Sequence, residues 1–244
     1  MKFFYKYSFL LFCLILSHKG FTQINDLEPK GLVSAYKKAI PYPQDVFSGG
    51  QYALGEVFQV EGTPYLESND FIKSNLTING FTFGDVLLNY NIQKDQLVTF
   101  HPTNFQRIIL NTEKISSFNL GKKRFFIRLE QNDGYVFHKS GYYEVIWDKE
   151  LLVLAKHFKV DRLKKDYNAS ELKHFEFIYN THYFIKLEKQ LFRINKKKDV
   201  ANALGIPKAR INKILRQKQL RFKKQTTESL AAIAAQYASD RSKN

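Results

Sequence analysis

The residues able to do chemistry in this 244-residue chain fall into two groups, a block of cations near the C-terminus and a scatter of histidines and carboxylates through the middle. Between Arg193 and Lys224 there are twelve Lys or Arg against one acid, Asp199. Eleven of them form a candidate polyanion contact: Lys196, Lys197, Lys198, Lys208, Arg210, Lys213, Arg216, Lys218, Arg221, Lys223 and Lys224. A concentrated positive field attracts phosphate, sulfate or carboxylate groups without needing a shaped pocket. From Gln23 to Phe192 the chain holds 21 basic and 20 acidic residues, so most of the formal net charge of +15 belongs to the tail. The plainer use of such a run is the wet face of helices that pack Ile206, Ile211, Ile214, Leu215 and Ile233 on the body.

Downstream of Gln23 the histidines are His101, His138, His157, His174 and His182. None stands at metal spacing within a helix, and no HExxH, GxSxG, phosphate-loop or dinucleotide glycine pattern is present. His101 beside Pro102, together with Asp85 and Glu144, are the polar residues to inspect first for catalysis. Cys13 is the single cysteine and lies inside a proposed export signal, which leaves the processed chain no disulfide, thiolate zinc site or cysteine nucleophile. The residues therefore lead us to expect no catalytic site, no metal and no cofactor.

The cations sit on a patterned segment, KKKDVANALGIPKARINKILRQKQLRF. Its apolar spacing predicts a short helix, a turn at Gly205, a second helix opened by Pro207 and a third opened near Thr227 and Glu228. Residues 198 to 216 resemble the helix-turn-helix of bacterial repressors, with Ala201, Gly205 and Ile211 at the corresponding spacings. That resemblance implies DNA binding by the second helix through Lys208, Arg210, Asn212 and Lys213.

The other end of the chain opposes a chromosomal partner. MKFFYKYSFLLFCLILSHKGFTQ places Lys2 and Lys6 before an apolar run, then Gly20 and Thr22 three residues and one residue before Gln23. This is the layout of a secretory signal peptide cut between Thr22 and Gln23, and the run is shorter than the about 20 residues of a membrane span. Phe12 ahead of Cys13 does not fit a lipoprotein signal. A periplasmic or secreted location follows as the expectation. Outside the cytoplasm the tail would meet lipid phosphates, lipopolysaccharide, acidic glycans or extracellular DNA.

Between these ends the apolar period is two. Residues 29–40 predict a short helix ended by Pro41 and Pro43, and Tyr52 to Val60 a strand. Asn79–Gly80 between apolar alternations predicts a tight hairpin, with a second around Gln93 to Asp95. Strands follow at Ile108–Leu110, Ile115–Leu120 and Phe125–Leu129, and residues 161–172 read as a loop. Tyr142–Lys156 and His182–Lys196 are two hairpins alike at an offset of forty residues, and ordinary hairpin patterning accounts for the likeness. Tyr143, Val145 and Trp147 share one face of their strand by alternation, and Trp147 is expected to be buried. The dense rings around Tyr135, Phe137, Tyr142 and Tyr143 are expected to fill the core rather than stack on a ligand.

No helical period separates the strands as a parallel sheet would need. The expected fold is mainly β: an antiparallel β-sandwich or partly closed barrel of roughly ten strands, with a helical tail. The expected organisation is a signal peptide at 1–22, a helical lead-in at 23–45, a β domain at 46–195 and a basic helical tail at 196–244.

The whole order of features, with GGQYALGEVFQVEGTPYL and LLNYNIQKDQLV after the leader and a lysine-rich helical end, resembles a group of exported proteins of Bacteroidota. The resemblance implies an envelope or secreted location and supplies no activity and no site residue. The leading expectation is a non-enzymatic exported module that binds a partner or supports the envelope. The rivals are a helix-turn-helix DNA-binding protein and an envelope glycan hydrolase. The hydrolase would need two carboxylates about 5–10 Å apart in a cleft.

Overall fold

The computed structural model describes residues 43–52, 60–130, 140–164 and 175–242. The chain divides into two compact units, Met1–Pro43 and Gln44–Asn244, and the sheet and the helices of the described residues belong to the second. The leader, its cleavage site, the helix at 29–40, most of the strand at 52–60, His138, His174, Tyr135 and Phe137 lie outside the described residues.

A single turn of helix α1 (Gln44–Phe47) leads into strands β1 (Gly50–Gln51), β2 (Val60–Glu61), β3 (Ile72–Ile78), β4 (Phe81–Asn91), β5 (Gln96–Phe100) and β6 (Arg107–Ile109). After a 3-10 turn come β7 (Ile115–Leu120), β8 (Arg124–Leu129), β9 (Gly141–Asp148), β10 (Leu152–Leu163), β11 (Phe175–Leu187) and β12 (Gln190–Ile194). Helices α2 (Lys197–Leu204), α3 (Lys208–Gln217) and α4 (Thr226–Arg241) complete the unit. The strands form one 12-stranded sheet in the order β1-β6-β5-β4-β3-β7-β8-β9-β10-β11-β12, with β2 beside β11. Every pairing is antiparallel except β2 with β11, so the expectation of a β-rich antiparallel fold with a helical tail is met.

The hairpin at Asn79–Gly80 forms as its residues dictate. Both adopt positive φ, 51° and 81°, and Ile78 pairs with Phe81. Asp95, φ 57°, closes the β4–β5 hairpin in the same way.

Three apolar clusters stabilise the sheet. The first centres on Tyr90, whose ring meets Phe118, Phe126 and Tyr142 edge-on at centroid distances of 5.5, 5.5 and 5.8 Å. The second joins Leu151 of the β9–β10 turn and Val153, Ile185 and Ile194 of the sheet to the three C-terminal helices. The third packs Leu129, Tyr143, Leu154, Phe184 and Leu191. Tyr142 and Tyr143 are thus core rings, on opposite sides of their strand.

Two sequence expectations change. Strand β9 carries a bulge: Val153 pairs with Trp147 but Leu154 pairs with Val145, which leaves Ile146 as the extra residue. The bulge breaks the alternation, so Tyr143 and Val145 join the third cluster while Trp147, only half-buried, packs with the helices. Second, β10 runs on through Asp161, Arg162 and Leu163, which pair with Phe177, Glu176 and Phe175, although the polar sequence from residue 161 reads as a loop. Residues 165–174 lie outside the described residues. The two similar hairpins differ in register, in line with ordinary hairpin patterning: three residues separate Asp148 from its partner Leu152, and two separate Leu187 from Gln190. They are two hairpins of different build, not copies of one unit.

Candidate functional site

The cationic residues occupy a three-helix cap on the β9–β12 end of the sheet. Helix α2 begins where the Asp199 carboxylate reaches back to the backbone N–H groups of Asn195 (2.9 Å) and Lys196 (3.0 Å). It ends at Gly205, whose φ of 63° suits a residue without a side chain. Pro207 then starts α3 with its fixed φ of −62°. The apolar sides of the helices meet the sheet: Val200, Leu204, Ile211, Ile214, Leu215, Phe222, Leu230 and Ile233 are all buried, and Ile206 is partly so. A hydrogen bond between Tyr183 Oη and Thr227 Oγ1 (2.8 Å) ties α4 to β11.

The eleven candidate cations divide by what they touch. Lys208, Lys213, Arg216, Lys218, Arg221, Lys223 and Lys224 are exposed, and no acidic side chain among the described residues pairs with them. Lys196 and Lys198 are exposed at the start of α2. Arg210 is held by an ion pair to Asp240 of α4, and Lys197 donates to Asn212 Oδ1 at 2.7 Å. Of the four residues that the helix-turn-helix resemblance would place in a DNA groove, Arg210 and Asn212 are therefore occupied within the cap. Lys208 and Lys213 remain outward and unpaired. Comparison with protein-family models, curated proteins and solved structures yields no match.

Lys197, Arg216, Arg221 and Lys223 rim a groove of about 580 Å³ whose floor is Leu215, Leu220 and Phe222. A second groove, of about 510 Å³, is walled by Tyr143, Phe158 and Phe184, with Lys156, Asp95 and His182 among its polar residues. Burial lowers the pKa of the Lys156 ammonium, partly offset by Asp95, whose Oδ2 accepts its proton at 2.7 Å. Asp95 also accepts from the Tyr90 hydroxyl at the centre of the first cluster. Burial and the Arg193 charge lower the pKa of His182.

Glu144, one of the carboxylates singled out by its sequence context, sits in a polar clamp across four strands. Arg124 of β8 grips it twice, Nε to Oε1 at 2.7 Å and Nη2 to Oε2 at 2.8 Å. His157 of β10 donates from Nε2 to Oε2 at 2.7 Å, and its Nδ1 meets the Tyr179 hydroxyl of β11 at 2.6 Å and the Thr181 hydroxyl at 3.2 Å. Arg124 Nη1 donates to Glu67 Oε1 at 2.8 Å. Burial opposes charge on Glu144, but the His157 and Arg124 hydrogen bonds prevail and hold its pKa at about 2. Burial works to lower the pKa of Arg124, but its hydrogen bonds to Glu144 and Glu67 and their charges raise it. Burial raises the pKa of Tyr179. The buried atoms of the clamp are thus bonded to one another, the arrangement of a strand-to-strand brace.

The other flagged residues stand apart. Asp85 is exposed on β4 with φ 55°. His101 follows β5 and accepts from the Thr103 N–H at 3.3 Å. Neither groove brings two carboxylates together among the described residues, and no cluster of three His, Cys, Asp or Glu there is placed to hold a metal ion. No described helix is long and apolar enough to cross a membrane.

Proposed function

We propose that the protein is an exported, non-enzymatic β-rich binding module that attaches to an anionic partner of the envelope or cell exterior through its C-terminal cap. The carrying observation is the division of labour within the cap: its apolar sides are spent on the sheet, while seven cations face outward without an acidic counterpart. Packing alone would be served equally well by mixed charges, and gathering like charges costs stability through self-repulsion unless an anion relieves it. The leader pattern and the near-neutral body support the same reading, and the internally bonded clamp supports a non-enzymatic role.

Cell fractionation with N-terminal sequencing tests the location. A chain beginning at Gln23 in the envelope or medium is expected; most of the protein in the cytosol with Met1 retained would overturn it. Retention on immobilised heparin tests the cap. The intact protein is expected to elute at clearly higher salt than a variant with Lys208, Lys213, Arg216, Lys218, Arg221, Lys223 and Lys224 changed to Gln, because exposed charge pairs are screened by added ions. Equal elution of the two would remove the cap from the function.

A further inference from the structure

We infer that the cap groove is a site for an anionic lipid, with the phosphate headgroup held at the rim and the first part of an acyl chain lying on the floor. This deepens the anion-binding reading of the cap and rests on it. The groove lies where α2, α3 and the α3–α4 turn meet, and its walls carry Lys197 and Arg216 from the helices and Arg221 and Lys223 from the turn. Past Gln219, which turns the chain out of α3 with φ 55°, side chains alternate: Leu220 and Phe222 lie half-buried and buried, and Arg221 and Lys223 stand exposed.

The result is a cationic rim around an apolar floor, with no acidic side chain in the lining. Two guanidiniums with unoccupied planar donor edges suit a phosphate, which they can bind in two-pronged fashion. Lys197, steered by its bond to Asn212, supplies a third positive group from α2. A sulfated glycan or a duplex nucleic acid would use the rim charges but gain nothing from Leu220. Single-stranded nucleic acid would want an open ring to stack on, whereas Phe222 is only 7% exposed. A molecule with both an anionic head and a hydrocarbon body fits both parts.

The test is calorimetric titration of the full-length chain with dihexanoyl phosphatidylglycerol below its micelle concentration. Two partial ligands accompany it: glycerol phosphate, which lacks the chains, and dihexanoyl phosphatidylcholine, which lacks the net charge. The complete lipid is expected to bind about tenfold more tightly than either. The triple variant R216Q/R221Q/K223Q is expected to lose about tenfold in affinity, while the charge-matched triple K208Q/K213Q/K224Q stays within about threefold of the parent. Leu220→Asn is expected to bring the lipid down to the affinity of glycerol phosphate, with circular dichroism showing that the fold is kept.

Equal loss in the two triples, or glycerol phosphate binding as tightly as the lipid, would overturn the groove while leaving a diffuse anion-binding cap. A short duplex DNA that binds more tightly than the lipid and is lost in the groove triple would replace the lipid with a nucleic acid. Absence of binding to both lipid and heparin would sink the groove and the cap function together.

Discussion

Glu144 is where β8, β9, β10 and β11 are tied by charge, through Arg124, His157 and, beyond it, Tyr179. Changing it to Gln leaves the partly buried Arg124 guanidinium with only the exposed Glu67 as counter-charge, and we expect a loss of about 2–3 kcal/mol in denaturant unfolding at neutral pH. The pH dependence has a definite sign. The folded pKa lies below the ordinary carboxylate value, so the stabilisation is complete above about pH 5 and disappears as pH falls toward about 2. The gap between parent and Glu144→Gln should close over that interval; a constant gap would show that lost packing, not charge, sets the cost. Gly141 offers a second residue-scale test. It has φ 145°, and an added Cβ would run into Asp95 Oδ2 and lie 2.6 Å from Lys156 Nζ. Gly141→Ala should therefore break that ion pair and cost about 2 kcal/mol in the same assay. The sequence made Glu144 visible as a carboxylate on the same alternation as Tyr142. Its partners were hidden because they come from strands joined only by tertiary pairing.

At the scale of elements, the cap and the sheet stabilise each other through Ile211, Ile214 and Ile233 against Val153, Ile185 and Ile194. Ile211→Ala or Ile233→Ala should each cost about 2–5 kcal/mol. Trp147, the only tryptophan, packs at this seam, so its emission should shift to the red in proportion to the loss. An unshifted emission would mean that the helices hold their place without those contacts. Local residue chemistry made the tight hairpins and the helix–glycine–helix of the cap legible, since Asn79, Gly80, Gly205 and Pro207 each demand a particular φ. The bulge at Ile146 was not legible. It places Ile146 and Trp147 together against the helix-side cluster, and alternation along one strand contains no trace of that. The continuation of β10 to Leu163 was hidden for a similar reason: DRL reads as polar, and its strand form comes from pairing with Phe175 to Phe177.

Across the whole molecule, charge is unevenly divided along the sequence. The body is nearly neutral and the cap strongly cationic, so the apparent affinity for any anionic polymer should fall steeply between low and physiological salt, and the slope should flatten as outward cations are removed. Binding insensitive to salt would place recognition elsewhere on the protein. The parallel pairing of Val60 with Phe175 carries a different consequence. Most neighbours in the sheet follow one another in sequence and can associate as soon as both have been synthesised. That pair instead closes a loop of more than a hundred residues, whose entropic cost rises only slowly with length but whose formation is slow. As the polypeptide emerges from its N-terminus, β2 waits without its mate until residue 175 appears, leaving an early segment open to chaperones or proteases for a large part of the time the protein takes to be made.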